Sequence, residues 1–251
     1  MYYRMEKNVI VVIMAGGLGK RMNSKIPKVL HQILNKPMLV RVIEQARLLL
    51  PYKILIIVEK YKDIIIKTLE KHIIIDENII FINQPEALGT GHAIQCCIPE
   101  LIKYKNSTTI ILSGDVPLLR ADTLRDFLQY FNIVKLITTL LDDPNGYGRI
   151  IEDKNIFNKI VEEKDCNLEE KNIKKVNCGI YAFNSEILCK YLPFLTNNNS
   201  QKEYYLTDII EIIKKNENIT VDLFTISKEK QYQVIGVNTI EQLYQLELMI
   251  I

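Results

Sequence analysis

Tryptophan is absent from the 251-residue chain, histidine occurs three times, cysteine five times, and neither sign of charge dominates. Each scarcity removes a class of function. His31, His72 and His92 stand far apart without ligand spacing, so a zinc site is not expected. Cys96, Cys97, Cys166, Cys178 and Cys189 form no C-x-x-C pair and are odd in number, which argues against a redox motif or a disulfide framework. Lys+Arg total 32 against Asp+Glu 30, and pairs such as Lys174-Lys175 and Lys214-Lys215 belong to no basic tract. Nucleic acid and acidic membranes are therefore not expected partners. No apolar run approaches the roughly 20 residues of a transmembrane helix. The six apolar residues Val9 to Met14 are too few for a signal core. A reducing, cytoplasmic setting is the default expectation.

What the chain does contain is a recurrent alternation of apolar runs and helical spacing. Strands are expected at Val9–Met14, Ile54–Val58, Ile79–Ile82 and Thr108–Leu112. Helices are expected between them, at Met38–Leu50 after Pro37, at Ile64–His72 and at His92–Tyr104. Strands apolar throughout, alternating with helices, predict an α/β fold: a Rossmann-like, doubly wound, mostly parallel sheet with ligands at the strands' carboxyl ends. After Phe131 the runs shorten: Lys135–Leu141, Gly148–Glu152, Asn158–Glu163 and Val176–Phe183 predict a smaller mixed or antiparallel lobe. A helix over Leu206–Lys215, a strand near Val221–Ile226 and a last helix from Thr239 complete the chain. The expectation is one domain over residues 1–251, with about 8–131 and about 132–251 as its two lobes.

The first strand runs into Ala15-Gly16-Gly17-Leu18-Gly19-Lys20-Arg21. Closely spaced glycines let several backbone N–H groups approach an anion, and Arg21 adds a planar fork of donors. Two common nucleotide loops do not fit. A Walker A loop would need glycine at Met14 and a hydroxyl at Arg21, and a dinucleotide fingerprint would need glycine at Met22. By spacing alone, a phosphate site and a tight strand-to-helix turn both remain open.

Beyond the loop, Ser24-Lys25-Ile26-Pro27-Lys28 places a lysine after a proline. Gln84-Pro85-Glu86-Ala87-Leu88-Gly89-Thr90-Gly91-His92, Gly114-Asp115, Asn145-Gly146-Tyr147-Gly148-Arg149, Val161-Glu162-Glu163, Asn177-Cys178-Gly179, Glu203-Tyr204-Tyr205-Leu206-Thr207-Asp208 and Gly236-Val237-Asn238 follow in order. The set resembles the sugar-nucleotide pyrophosphorylases, and in particular the uridylyltransferase domain of the bacterial UDP-N-acetylglucosamine-forming type. The resemblance runs from about Val9 to the last helix. It implies joining of UTP to N-acetylglucosamine 1-phosphate with Mg²⁺. A related transferase for another sugar, such as glucose 1-phosphate, or a catalytically silent nucleotide-sugar regulatory subunit are the alternatives.

The resemblance assigns catalysis to Arg21 and Lys28, and nucleotide contacts to Ala15, Gly16, Gly17, Gly19, Gln84, Gly89 and Thr90. It gives sugar contacts to Gly148, Glu162 and Asn177, and metal binding to Asp115 and Asn238. The residue types suit these roles. A glutamine amide both donates and accepts, as the imide edge of uracil requires. Asp115 follows an apolar strand directly, which aims a hard oxygen ligand into the crevice. Other readings stand beside them: Gln84 as a satisfied loop amide, Thr90 as a helix cap, Asn238 as the start of the last helix, and Glu162 as part of a solvated charged run. Cys178 stands where relatives often carry threonine, and Ser113 occupies a variable place. The bifunctional relatives continue into a left-handed β-helix of hexapeptide repeats. No such repeats occur before Ile251, so acetyltransferase activity is not expected, and no oligomeric state carries over.

Overall fold

The residues Val9–Met14 form β1, whose first five side chains are fully or almost fully buried. A computed structural model describes residues 8–17, 19–22 and 24–250; Leu18 and the Lys20 side chain, both in the glycine loop, lie outside what is described. The chain continues through β2 (Gln32–Ile33) and β3 (Lys36–Pro37), a short ribbon, to β4 (Lys53–Val58), β5 (Ile79–Asn83) and β6 (Thr108–Ser113). Then come β7 (Val134–Leu140), β8 (Arg149–Asp153), β9 (Ile156–Val161), β10 (Lys175–Asn184) and β11 (Asp222–Thr225). The main sheet has the order β11-β7-β10-β6-β1-β4-β5, with the β8–β9 hairpin attached to β10. β1 pairs in parallel with β4 and β6, β4 with β5, and β7 with β11, whereas β10 runs antiparallel to β6 and β7. The sheet is thus mostly parallel, and its antiparallel part is β10 with the hairpin.

Burial explains why β1 is apolar throughout. Val11 and Ile13 face one core cluster and Ile10 and Val12 the other, so both faces of the strand are covered. Helices Met38–Arg47, Lys62–Leu69 and Ala121–Leu128 supply Leu39, Ile43, Ile65, Leu69, Leu124 and Phe127 to the first face. Helices Thr90–Gln95, Ser185–Tyr191 and Asp208–Glu217 supply Ile94, Leu188, Ile209 and Ile213 to the second. The helix expected over His92–Tyr104 is three pieces: α-helices Thr90–Gln95 and Ile98–Leu101, then a 3₁₀ turn at Ile102–Tyr104. Pro99 lies in the first turn of the second piece, where its missing N–H costs nothing but the preceding helix cannot pass.

A third, small cluster holds Met22, Ile33, Met38, Val237, Leu243 and Leu246. It buries the end of the glycine loop against the segment before the last helix, Ile240–Leu248. At roughly 1.5–3 kcal/mol per buried large apolar side chain, it is strong enough to hold their neighbours Arg21 and Asn238 close together.

Candidate active site

The carboxyl ends of β1, β4, β5 and β6 deliver the glycine loop, Glu59, Gln84 and Gly114-Asp115 to one edge of the sheet. β10 runs the other way, so its beginning arrives at the same edge: Asn177 pairs with Thr138 near the end of β7. Between Asn177 and Tyr181 the register shifts, and Gly179 adopts φ +70°. That bulge turns Asn177 and Cys178 toward the crevice.

Within the glycine loop the Ala15 N–H donates to the Ile57 carbonyl at 3.0 Å, extending the β1–β4 pairing by one residue. Gly17 and Gly19 have φ of +89° and +70°. A Cβ on Gly19 would come within 2.6 Å of Lys28 Cβ, so the loop backbone rests on the lysine stem. Lys28 opens a 3₁₀ turn after Pro27, and its ammonium is shared between two oxygens. It pairs with Asp115 Oδ2 and donates to Asn238 Oδ1 at 3.1 Å. Arg21 Nη2 donates to the same Asn238 oxygen at 3.0 Å. Ser113 Oγ donates to Asp115 Oδ1 at 2.6 Å, and the Val237 N–H donates to the Asp115 carbonyl at 2.9 Å. Arg21, Lys28, Asp115 and Asn238 therefore form one network. Asn238 does not cap the last helix; Thr239 does, with Gln242 completing the capping box.

Two pockets adjoin at this edge and share Met14 and Thr90. The first, about 230 Å³, is lined by Ser113, Asp115, Tyr147, Gly148, Glu162 and Asn177 among others. Glu162 Oε1 accepts from Thr207 Oγ1 at 2.8 Å, while Oε2 lies 3.4 Å from the position of a Cβ on Gly148. Burial pushes the Glu162 carboxyl above the usual range, partly offset by the Thr207 hydroxyl. Its neighbour Glu163 faces elsewhere, accepting from the Gly146 N–H at 3.1 Å and pairing with Arg149 at 2.8 Å. Arg149, 1% exposed, also donates to the Tyr147 carbonyl and so fixes the 146–148 turn from behind. Asn177 donates to the Tyr181 hydroxyl at 2.7 Å and accepts from the Gly179 N–H at 3.1 Å. Cys178 is buried, and burial alone drives its thiol far above the ordinary thiol range, which leaves no nucleophile there.

The second pocket, about 220 Å³, is lined by Gly16, Glu59, Gln84, Gly89, Thr90 and Glu203 among others. Gln84 is 5% exposed and donates from Nε2 to the Gly89 carbonyl at 3.2 Å. The cap of the helix behind it is Gly89, not Thr90, whose hydroxyl accepts the Leu206 N–H at 3.0 Å. Thr90 thus ties the base of this helix to the 203–208 segment while keeping its own hydroxyl proton for the pockets. Ala15 and Gly19 line neither pocket, and Gly17 is open on its Cβ side. Glu59, Tyr147 and Thr207 line the pockets and were not among the expected residues. Thr207 lay inside a noted motif, but Glu59 carries no local signal.

Asp208 begins helix Asp208–Glu217 beside Glu162. Burial first, then the charges of Glu162, Glu211 and Asp165, push its carboxyl from 3.8 up to about 6. A carboxyl raised on folding favours the folded state below its ordinary value, and that contribution is lost as pH climbs through about 6. Asp208→Asn is therefore expected to raise Tm relative to wild type increasingly from about pH 4 to about pH 6, and to keep the gain at neutral pH. Thermal denaturation across that range checks it; a pH-independent Tm difference contradicts the assignment.

The mostly parallel α/β sheet thus carries a glycine loop, a cation–carboxylate–amide network and two adjoining pockets at its carboxyl edge. The nucleotidyl transferase family profile matches residues 10–229, and the chain belongs to that family. It is 43% identical over 242 residues to a protein of Acanthamoeba polyphaga mimivirus named probable UDP-N-acetylglucosamine pyrophosphorylase, covering 94% of each chain. It is 39% identical over 243 residues to the bifunctional protein GlmU of Clostridium botulinum strain 657, covering 95% of this chain and 51% of that one. The chain thus spans about half the length of this bifunctional relative. Among solved structures, a UDP-glucose pyrophosphorylase complexed with UDP-glucose superimposes with a TM-score of 0.68 at 17% identity, covering 95% of this chain and 97% of that one. At that identity the likeness concerns the fold. No helix among the described residues is long and apolar enough to cross a membrane.

Proposed function

We propose that the chain transfers a uridylyl group from UTP to N-acetylglucosamine 1-phosphate, forming UDP-N-acetylglucosamine and releasing pyrophosphate. The observation that carries the reading is the network of Arg21, Lys28, Asp115 and Asn238, whose Asp115 lines one of two adjoining pockets. The mimivirus relative, matched along nearly its whole length, supports the choice of base and sugar.

The nucleotide would lie over the glycine loop, its uracil imide against Gln84 and the backbone of Gly89 and Thr90. With Gln84 Nε2 donating to Gly89, its carbonyl oxygen is left to accept the imide N–H. The sugar phosphate would occupy the first pocket, its hydroxyls and acetamido group read by the Gly148 backbone, Glu162 and Asn177. Asp115 and Asn238 fit Mg²⁺: oxygens from two distant segments already converge on one cation, the Lys28 ammonium. Two protein oxygens suffice for a metal that also binds phosphates and water. Bound there, Mg²⁺ would neutralise charge on the triphosphate.

The attacking phosphate oxygen is already an anion, so no residue need act as a general base. It displaces pyrophosphate from the α-phosphorus in line, forming one P–O bond as another breaks. The protein's work is alignment of two anions and stabilisation of the charge that builds on the leaving oxygens. Arg21 and the N–H groups of Gly16, Gly17 and Gly19 would hold the β- and γ-phosphates, and Lys28 would pass from Asp115 to the α-phosphate.

The test is pyrophosphate release with UTP, Mg²⁺ and a panel of sugar 1-phosphates. Release with N-acetylglucosamine 1-phosphate in strong preference to glucose 1-phosphate is expected. Preference for another sugar would overturn the substrate assignment, and nucleotide-sugar binding without release would overturn the enzymatic one.

A further inference from the structure

Glu59 is the first residue after β4, and nothing in its local sequence, Val58-Glu59-Lys60, distinguishes it from a solvated loop charge. The fold puts it elsewhere. β4 is the parallel neighbour of β1, with Met14 opposite Ile57, so Glu59 and the glycine loop leave the sheet side by side. A Cβ on Gly16 would lie 2.7 Å from Glu59 Oε1 and 3.1 Å from its Cδ. The carboxylate therefore rests directly on the loop backbone, and it lines the same pocket as Gln84, Gly89 and Thr90. Among the described residues its two carboxylate oxygens take part in no hydrogen bond or ion pair, although Lys60 and Lys62 are close in sequence and the Lys62 N–H donates to the Glu59 backbone carbonyl at 3.1 Å.

From this geometry we infer that Glu59 accepts hydrogen bonds from the ribose hydroxyls of the nucleotide and selects ribonucleotides over deoxyribonucleotides. The inference rests on the nucleotide site proposed above. An ionised carboxylate can only accept, and two adjacent hydroxyls are the donors that match its two oxygens. A triphosphate would be repelled by it and drawn to Arg21 and Lys28, while the base edge is matched by Gln84. What remains between base and phosphates is the ribose. In dinucleotide-binding folds the same chemistry recurs at the same topological place: an acidic residue downstream of the glycine turn meets the ribose held over that turn. Here the strand, glycine loop, helix Met38–Arg47 and β4 supply that unit without the dinucleotide spacing of glycines.

The experiment measures pyrophosphate release and equilibrium nucleotide binding for UTP, 2′-deoxy-UTP and 3′-deoxy-UTP, with wild type, Glu59→Gln and Glu59→Ala. Wild type is expected to favour UTP over at least one deoxy analogue by about 10- to 100-fold in both kcat/KM and Kd. Glu59→Ala should shrink that ratio to within about threefold, chiefly by raising KM for UTP, with Glu59→Gln intermediate. A wild type that binds UTP and both analogues equally overturns the inference, as does a Glu59→Ala ratio equal to that of wild type. If the binding preference is present and depends on Glu59 but no sugar phosphate yields pyrophosphate, the proposed reaction fails and the role of Glu59 stands.

Discussion

Lys28→Ala is expected to lower kcat by about 100- to 1,000-fold, the usual loss when one preorganised donor is removed from a transition state. The structure adds a second consequence. The ammonium bridges Asp115 and Asn238, with side-chain exposures of 17% for Lys28 and 13% for Asp115. Its removal leaves a largely buried carboxylate with Ser113 Oγ as its remaining side-chain partner among the described residues. Losing one side of such a pair costs roughly 1–3 kcal/mol, so Tm should fall by about 3–10 °C. A loss of that size is expected to leave the variant folded at 25 °C, which separates the kinetic effect from the stability effect. A third readout concerns the cation itself. With the ammonium gone, Mn²⁺ used as a spectroscopic probe should bind more tightly in the absence of nucleotide, and added Mg²⁺ should raise the variant's Tm more than that of wild type. Near-normal turnover would remove Lys28 from the chemistry. Weaker Mn²⁺ binding would show that Asp115 and Asn238 do not form the cation position.

The residues legible from sequence are those whose signal is local. Val9–Met14 reads the same in sequence and structure because a strand buried on both faces must be apolar at every position. The glycine loop was visible for a similar reason, since positive φ at Gly17 and Gly19 and contact with Lys28 leave few other residues possible there. Long-range pairing was not legible. Nothing in Lys175–Asn184 tells that this strand enters the main sheet antiparallel between β6 and β7, because that depends on partners such as Ile111 and Leu136. The same limit hid Glu59, whose meaning comes from a parallel register with β1. Glu162 and Glu163 are alike in composition, and only the turn after β9 separates them, sending one carboxylate to Thr207 and the other to Arg149. Motif order could single out Glu162, which lines the first pocket; its hydrogen bond with Thr207 could not be read from the chain.

Gly89→Ala is expected to be among the most damaging single-atom additions to this fold, destabilising it by roughly 3 kcal/mol or more. Gly89 has φ +110° and ψ 174°, a region open essentially to glycine alone. A Cβ there would also meet the Tyr204 carbonyl oxygen at 2.6 Å and the Tyr204 nitrogen at 2.9 Å. Both are backbone atoms that cannot rotate away. They are held in place by Tyr204 N–H donating to the Leu88 carbonyl at 2.8 Å and by Gly91 N–H donating to the Tyr204 carbonyl at 2.7 Å. Relieving the clash therefore means separating the 203–208 segment from the 84–91 loop. Those two segments carry Gln84 and Thr90 on one side and Thr207, the partner of Glu162, on the other. The substitution should lower Tm by about 6–12 °C. It should also raise KM for both substrates, because one displacement disturbs both pockets through the Thr90–Leu206 hydrogen bond. A Tm loss with unchanged KM values would mean that the two pockets are positioned independently. A wild-type Tm would mean that the backbone at Gly89 can leave the left-handed region without cost.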